Sequence, residues 1–176
     1  MRRSELLKLA KPILFNSEMV RAIMDGRKTV TRRIIKLPKC GYWDNDPPRG
    51  VIPRYKNGDI LYVRETFMEH RTYFIKNIFD DPTILYKADY LGDEDLMNCG
   101  IDRWKPSIHM PKKYARTFLE VTGVRVERLQ SIQEEDCFKE GALSYENYRH
   151  FDGDLMQPCV PFYRFIDLWN STIKKD

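Results

Sequence analysis

Apolar positions change their period several times along the chain, and each change marks an element. Lys11 to Phe15 (KPILF) is a short, mostly apolar run that predicts a buried strand. Asn16 or Ser17 follows, and a short oxygen-bearing side chain there accepts from the free amides of a helix's first turn. Met19, Val20, Ile23 and Met24 then recur at helical spacing, with Gly26 as the C-terminal stop. Lys28 to Ile35 is β-branched and predicts extended chain. A Pro- and Gly-rich loop over 38–58 leads into Asp59 to Phe67, where the alternation is clearest. Leu61, Val63, Glu65 and Phe67 share one face of that strand; Ile60, Tyr62, Arg64 and Thr66 share the other.

Residues 84–88 (ILYKA) predict another short strand, followed by an acidic loop with Asp89, Asp93, Glu94, Asp95 and Asp102. In WKPSIHMP (104–111) two prolines bracket a polar and aromatic stretch, which excludes an interior helix or a central strand. Arg116 to Leu129 predicts further strands, with Phe118, Val121, Val124 and Val126 apolar and Gly123 between two runs. Ser131-Ile132-Gln133-Glu134 has the pattern of a capping box, so a helix is expected to open there and close at Gly141. Val160 to Ile173 places Phe162, Phe165, Ile166, Trp169 and Ile173 on one helical face, read as core packing. Several short strands with interspersed helices predict the α+β class: a small mixed β-barrel with helices packed at its ends.

The length of 176 residues suits one domain that can bury a core without disulfides or metal. With 42% hydrophobic and 12% aromatic residues, a disordered tail, a collagen-like chain and a coiled-coil rod are excluded. No stretch approaches the ~20 apolar residues that span a membrane. Met1 to Leu7 carries two early basic charges but no long apolar run, which predicts no signal peptide and a soluble, cytoplasmic protein. Cysteines at 40, 99, 137 and 159 form no CxxC pair, and His70, His109 and His150 lie far apart. Free thiols in a reducing compartment, no metal and no cofactor are the expectations.

Charge is concentrated. Six of the 30 basic residues (Arg27, Lys28, Arg32, Arg33, Lys36 and Lys39) lie between positions 27 and 39, where there is no acid. The remaining chain has 24 basic against 26 acidic residues. Such a segment holds phosphate or another anion, or serves as a solvated basic edge that deters aggregation. Three further features carry candidate chemistry. Glu65 falls in line with apolar neighbours and needs a cationic or donor partner, either to orient a base or to anchor an arginine. Glu140 lies in the last turn of its helix, where the dipole does not favour an anion, so a nearby cation or plain exposure is expected. Trp104, Ser107 and His109 on a stiff connection suit stacking and hydrogen bonding of a flat polar ligand, or else Trp104 and Met110 plug one end of a barrel.

Asp25-Gly26-Arg27-Lys28-Thr29-Val30-Thr31-Arg32-Arg33, preceded by Met19 to Met24, resembles the signature of the ASCH family. So does Gly58-Asp59-Ile60-Leu61-Tyr62-Val63-Arg64-Glu65-Thr66-Phe67. WKPSIHMP (104–111), VTGVRVERLQSI (121–132) and EEDCFKEGA (134–142) are similar to the version found in many phage and prophage proteins. The resemblance extends from about Pro12 to Trp169. It implies a single PUA-like domain over 1–176, with an N-terminal extension over 1–11 and an insert at about 68–103, in a bacterial or phage-infected cell. It also implies an association with RNA and modified nucleosides.

Two activities follow from that resemblance. The first is binding of RNA, a nucleobase or a nucleotide in a basic-aromatic cleft formed by Arg27, Arg32, Arg33, Arg64, Glu65, Trp104, Ser107 and His109. The second is hydrolysis of the acetyl-amide of a modified nucleoside such as N4-acetylcytidine. One bacterial branch performs that reaction with a lysine, a threonine and a glutamate, which map by motif onto Lys28, Thr31 and Glu140. A threonine hydroxyl is a weak nucleophile that needs a base within reach, and Lys28 can serve if Arg27, Arg32 and Arg33 depress its pKa. In an ideal strand Lys28 and Thr31 would point to opposite faces, so this site requires an irregular turn or bulge after Gly26. A third reading is a phage accessory protein that acts through protein contacts.

Overall fold

In the computed structural model, which describes residues 2–35, 52–70, 83–90, 103–141 and 160–172, the alternation from Ile60 to Arg64 becomes a central strand. The chain divides into two compact units, Met1–Arg21 with Tyr55–Val124, and Ala22–Arg54 with Arg125–Asp176. In the first unit, α1 (Arg3–Leu9) precedes β1 (Lys11–Leu14), which runs parallel to β2 (Ile60–Arg64) with Ile13 opposite Val63. β5 (Phe118–Glu120) lies antiparallel on the other side of β2, with Tyr62 opposite Phe118, so β2 is paired on both edges. β3 (Phe67–His70) and β4 (Thr83–Tyr86) form a separate antiparallel pair. The class is mixed α+β, and among the described residues these sheets do not close into a barrel.

Local signals explain most of these boundaries. The Asn16 carboxamide oxygen accepts from the Met19 amide at 2.8 Å, so Asn16 caps α2 (Ser17–Met24). Gly26 then takes a φ of +73°, a left-handed conformation that a side chain disfavours, and ends the helix. The face expected to be buried on the central strand is buried: Leu61, Val63, Glu65 and Phe67 are each at most 4% exposed. The strand breaks after Arg64, and Phe67 pairs instead with Lys105 of the proline-bracketed stretch, whose residues Ser107–His109 form one 3₁₀ turn. Met110 closes the core of this unit with Ala10, Tyr62, Phe67 and Ala115.

The second unit holds α3 (Glu134–Lys139) and α4 (Val160–Thr172), with Ile132, Cys137 and Phe165 buried together and Trp169 against them. Among the described residues no helix is long and apolar enough to cross a membrane. Three expectations are corrected here. The predicted capping box does not form: Ser131 belongs to a 3₁₀ turn (Leu129–Ser131), and α3 opens after Gln133, whose side chain makes no cap. Its first turn carries Glu134, Glu135 and Asp136, whose charges the helix dipole favours, so the start needs no serine. Among the described residues, strand structure expected over 116–129 is limited to β5, and its pairing ends at Val121, whose amide and carbonyl bond to the Asp59 carbonyl and the Gly58 amide. On α4, Phe165 is buried as expected but Phe162 is 39% exposed. Parts of the 38–58 loop, the acidic residues Asp93, Glu94, Asp95 and Asp102, and Lys36, Lys39, Cys40, Cys99, His150, Cys159 and Ile173 lie outside the described residues.

Glu65 has the anchoring role among its two anticipated ones. It is fully buried, and both carboxylate oxygens accept from Arg116, from Nε and from a terminal nitrogen, each at 2.9 Å. The guanidinium also donates to Asp89 at 2.7 Å and lies 4.0 Å from the centre of the Tyr86 ring. Burial opposes the charge on Arg116, yet its hydrogen bonds to Glu65 and Asp89 outweigh that and raise its pKa. The Glu65 amide faces the Met110 sulfur at 3.2 Å, tying the strand break to the core. Arg116→Ala would strand a buried carboxylate and is expected to cost roughly 3–5 kcal/mol in urea unfolding. Glu65→Leu combined with Arg116→Met is expected to recover most of it. A loss under about 1 kcal/mol in the single variant would show that water solvates Glu65 instead.

Candidate functional site

The segment after Gly26 is where the sequence and the backbone part company. Lys28 to Ile35 was expected to be extended; among the described residues it enters no sheet. The Gly26 amide donates to the Ile23 carbonyl and the Lys28 amide reaches back to the Ala22 carbonyl at 2.8 Å, which seals the end of α2. Thr29 and Val30 then both donate to the Lys139 carbonyl, at 2.8 and 3.0 Å. Consecutive amides in a strand point to opposite sides, so two on one acceptor mark a tight irregular turn. This is the departure from strand geometry that a joint role for Lys28 and Thr31 requires.

The same turn brings Lys28 against the end of α3. Glu140 caps that helix and Gly141 follows with a φ of +76°. A Cβ on Gly141 would lie 2.8 Å from the Cβ of Ala22 and 3.0 Å from that of Lys28, so only glycine permits the approach. Lys28 and Glu140 are 6% and 4% exposed, and the ammonium meets Glu140 Oε2 at 2.5 Å. It also donates to the Glu140 and Val30 carbonyl oxygens, both at 2.9 Å. The Val30 carbonyl belongs to the peptide that carries Thr31, so the lysine nitrogen is held beside the backbone of the predicted nucleophile. Thr31 itself is half-buried, and its hydroxyl is uncommitted among the described residues.

Arg32 completes the cluster. It donates to Glu140 Oε1 at 3.2 Å, to Asp136 at 2.9 Å and to Glu127 at 3.0 and 2.7 Å. Arg125, on the exposed side, bridges the same Glu127 and Asp136 at 2.8 and 3.2 Å. Three cations therefore balance three carboxylates from the surface to the buried lysine. Burial pushes the Lys28 ammonium below the ordinary lysine range. The attraction of Glu140 opposes that push without cancelling it, and Arg33 and Arg32 add to it. Burial also pushes the Cys137 thiol up, away from the thiolate form. Among the described residues no group of three or more His, Cys, Asp and Glu side chains is placed to hold a metal ion.

The predicted residues divide between the two units. Arg27, Lys28, Thr31, Arg32, Arg33 and Glu140 lie in the second, while Arg64, Glu65, Trp104, Ser107 and His109 lie in the first. Of the two expectations for Glu140, a nearby cation or plain exposure, the structure has the first: Lys28 and Arg32 both meet its carboxylate. Arg27 pairs with Asp25 at 2.9 Å, whereas Arg33 is exposed and donates to the Arg32 carbonyl. In the first unit, Arg64 donates to the Ile108 carbonyl, Trp104 packs tilted against Tyr90, and His109 is exposed. Glu127, Asp136 and Arg125 were not singled out from the sequence. The available signal was the four-residue spacing of Asp136 and Glu140, like charges on one helical face that need a cation between them. Comparison with family models, curated proteins and solved structures finds no match to this chain.

Gly141→Ala combines a left-handed backbone with two sub-contact distances and is expected to destabilise the fold by about 2 kcal/mol or more. Thermal unfolding measures this, and an unchanged midpoint would mean that the end of α3 does not approach Lys28 so closely.

Proposed function

We propose that this chain is a PUA-like domain of the ASCH type that hydrolyses the acyl-amide of a modified nucleoside, with N4-acetylcytidine as the substrate the sequence resemblance implies. One observation carries this reading: a buried lysine whose pKa is depressed is paired at 2.5 Å with a buried glutamate and held on the peptide carrying Thr31. A general base is most effective when its pKa lies near the working pH, and burial is the means of moving a lysine there. Arg32, proposed from the sequence as a phosphate ligand, has four of its five N–H groups engaged by carboxylates, which weighs against the cluster serving as a phosphate clamp.

In this mechanism the Thr31 hydroxyl oxygen adds to the acyl carbonyl carbon while Lys28, in its neutral form, takes the hydroxyl proton. The new C–O bond leaves a tetrahedral oxyanion, towards which the exposed Arg33 supplies positive charge. Collapse breaks the bond to the nucleobase nitrogen, and the proton returns to that nitrogen through Lys28 or Glu140. The amine leaves as cytidine. Water then attacks the acetyl–threonine ester with Lys28 again as base; the bond from the acyl carbon to the Thr31 oxygen breaks, that oxygen takes the proton back from Lys28, and acetate departs.

The purified chain incubated with N4-acetylcytidine is expected to release cytidine, and Thr31→Ala to release none while its circular dichroism is unchanged. The rate is expected to rise with pH along a limb centred below the ordinary lysine value. Glu140→Gln removes the charge that raises the Lys28 pKa, so the limb should move to lower pH as the maximal rate falls. No cytidine from the native chain at high enzyme concentration would overturn the hydrolase reading.

A further inference from the structure

Glu140 poses a difficulty for the base it accompanies. A lone carboxylate 2.5 Å from a buried ammonium would favour the charged lysine and hold its proton. Here the carboxylate is divided: Oε2 faces Lys28, and Oε1 accepts from Arg32 at 3.2 Å. Glu140 is held independently of Arg32, because its own backbone carbonyl also accepts from the Lys28 ammonium and its side chain is buried. Arg32 in turn is fixed by Glu127, which approaches from the segment before α3, and by Asp136 one turn back along the helix. Arg125 braces those two carboxylates from outside.

We propose that Arg32 is a positioning and charge-sharing residue: by binding the far oxygen of Glu140 it divides that carboxylate's charge between two cations, so that the close contact with Lys28 does not lock the proton on the lysine. Its catalytic consequence rests on the hydrolase reading, but the charge sharing is a property of the cluster alone. Among the described residues, the charged groups that face Lys28 include Glu140, Arg33 and Arg32; those that face Arg32 include Glu127, Asp136 and Glu140, with the Cys137 thiol buried nearby. Both arginines act to lower the Lys28 pKa while Glu140 acts to raise it. Loss of Arg32 therefore removes a like charge and frees the whole carboxylate for the lysine, and both effects have the same sign.

The test is an NMR titration of the Lys28 side chain in the full chain labelled at lysine ε-carbons, with its signal assigned by through-bond correlation. Arg32→Gln is expected to move the Lys28 midpoint up by about one pH unit, and Arg32→Lys, which keeps the charge, to leave it close to native. Arg32→Met serves the same comparison if the glutamine variant does not fold. With N4-acetylcytidine, kcat/KM of Arg32→Gln should fall about tenfold on the rising limb and return towards native at alkaline pH, a rescue that general structural damage would not give. A native chain that hydrolyses nothing, with the midpoint still moving upward, would remove the hydrolase reading and leave the charge sharing standing. A midpoint that stays or falls in the neutral variants, or that moves as far in Arg32→Lys, overturns it whatever the activity.

Discussion

Removing an ammonium and a carboxylate from water costs several kcal/mol per ion, and mutual attraction offsets that only when the remaining donors and acceptors are also satisfied. The second unit is arranged around that requirement. Lys28 donates to two backbone carbonyls besides Glu140, and Glu140 accepts from Arg32 as well as from the lysine. Every local peculiarity of the chain there serves this arrangement: the left-handed glycine that ends α2, two consecutive amides on one carbonyl, and a glycine at 141 that a methyl group would displace. Together they let one basic side chain lie beside one acidic side chain away from water.

The first unit meets a similar demand with a different cation. Glu65 is as thoroughly buried as Glu140, but its partner is an arginine whose planar fork engages both carboxylate oxygens. A guanidinium does not lose its proton in a protein, so that pair is fixed and ties the break between β2 and β3 to Asp89 and Tyr86. Lysine is a compact ammonium whose pKa shifts when it is buried, which gives the Lys28–Glu140 pair a chemical possibility that the Glu65–Arg116 pair lacks. Two buried ion pairs in one chain thus have different characters, decided by which cation evolution placed beside the glutamate.

Much of the local structure was legible in the residues. The strand alternation identified the buried face with Glu65 on it, Asn16 identified the start of α2, and the proline bracket kept 104–111 out of helix and central strand. Failures occurred where a local signal had a tertiary competitor. Ser131 matches a capping pattern, but its backbone closes a 3₁₀ turn one step too early. Lys28 to Ile35 has strand composition, but its amides find the carbonyl of Lys139 rather than a neighbouring strand. Composition states which conformation a segment prefers in isolation, and pairing with a distant segment decides whether that preference is realised.

The sequence by itself determined that Glu65 needed a cationic or donor partner, because an anion in an apolar row is unfavourable without one, and that Glu140, at a helix C-terminus, would be met by a cation or left exposed. It also placed Lys28, Thr31 and the arginines in one short segment. Which cation meets which carboxylate was decided only in three dimensions. Arg116 is 51 positions from Glu65, and Lys28 is 112 from Glu140. Nothing in local periodicity relates residues so distant; the meeting of Lys28 with Glu140 depends on how two turns end, one after α2 and one after α3. The protonation behaviour of Lys28 follows from that meeting, because burial and the charges around it exist only in the folded chain.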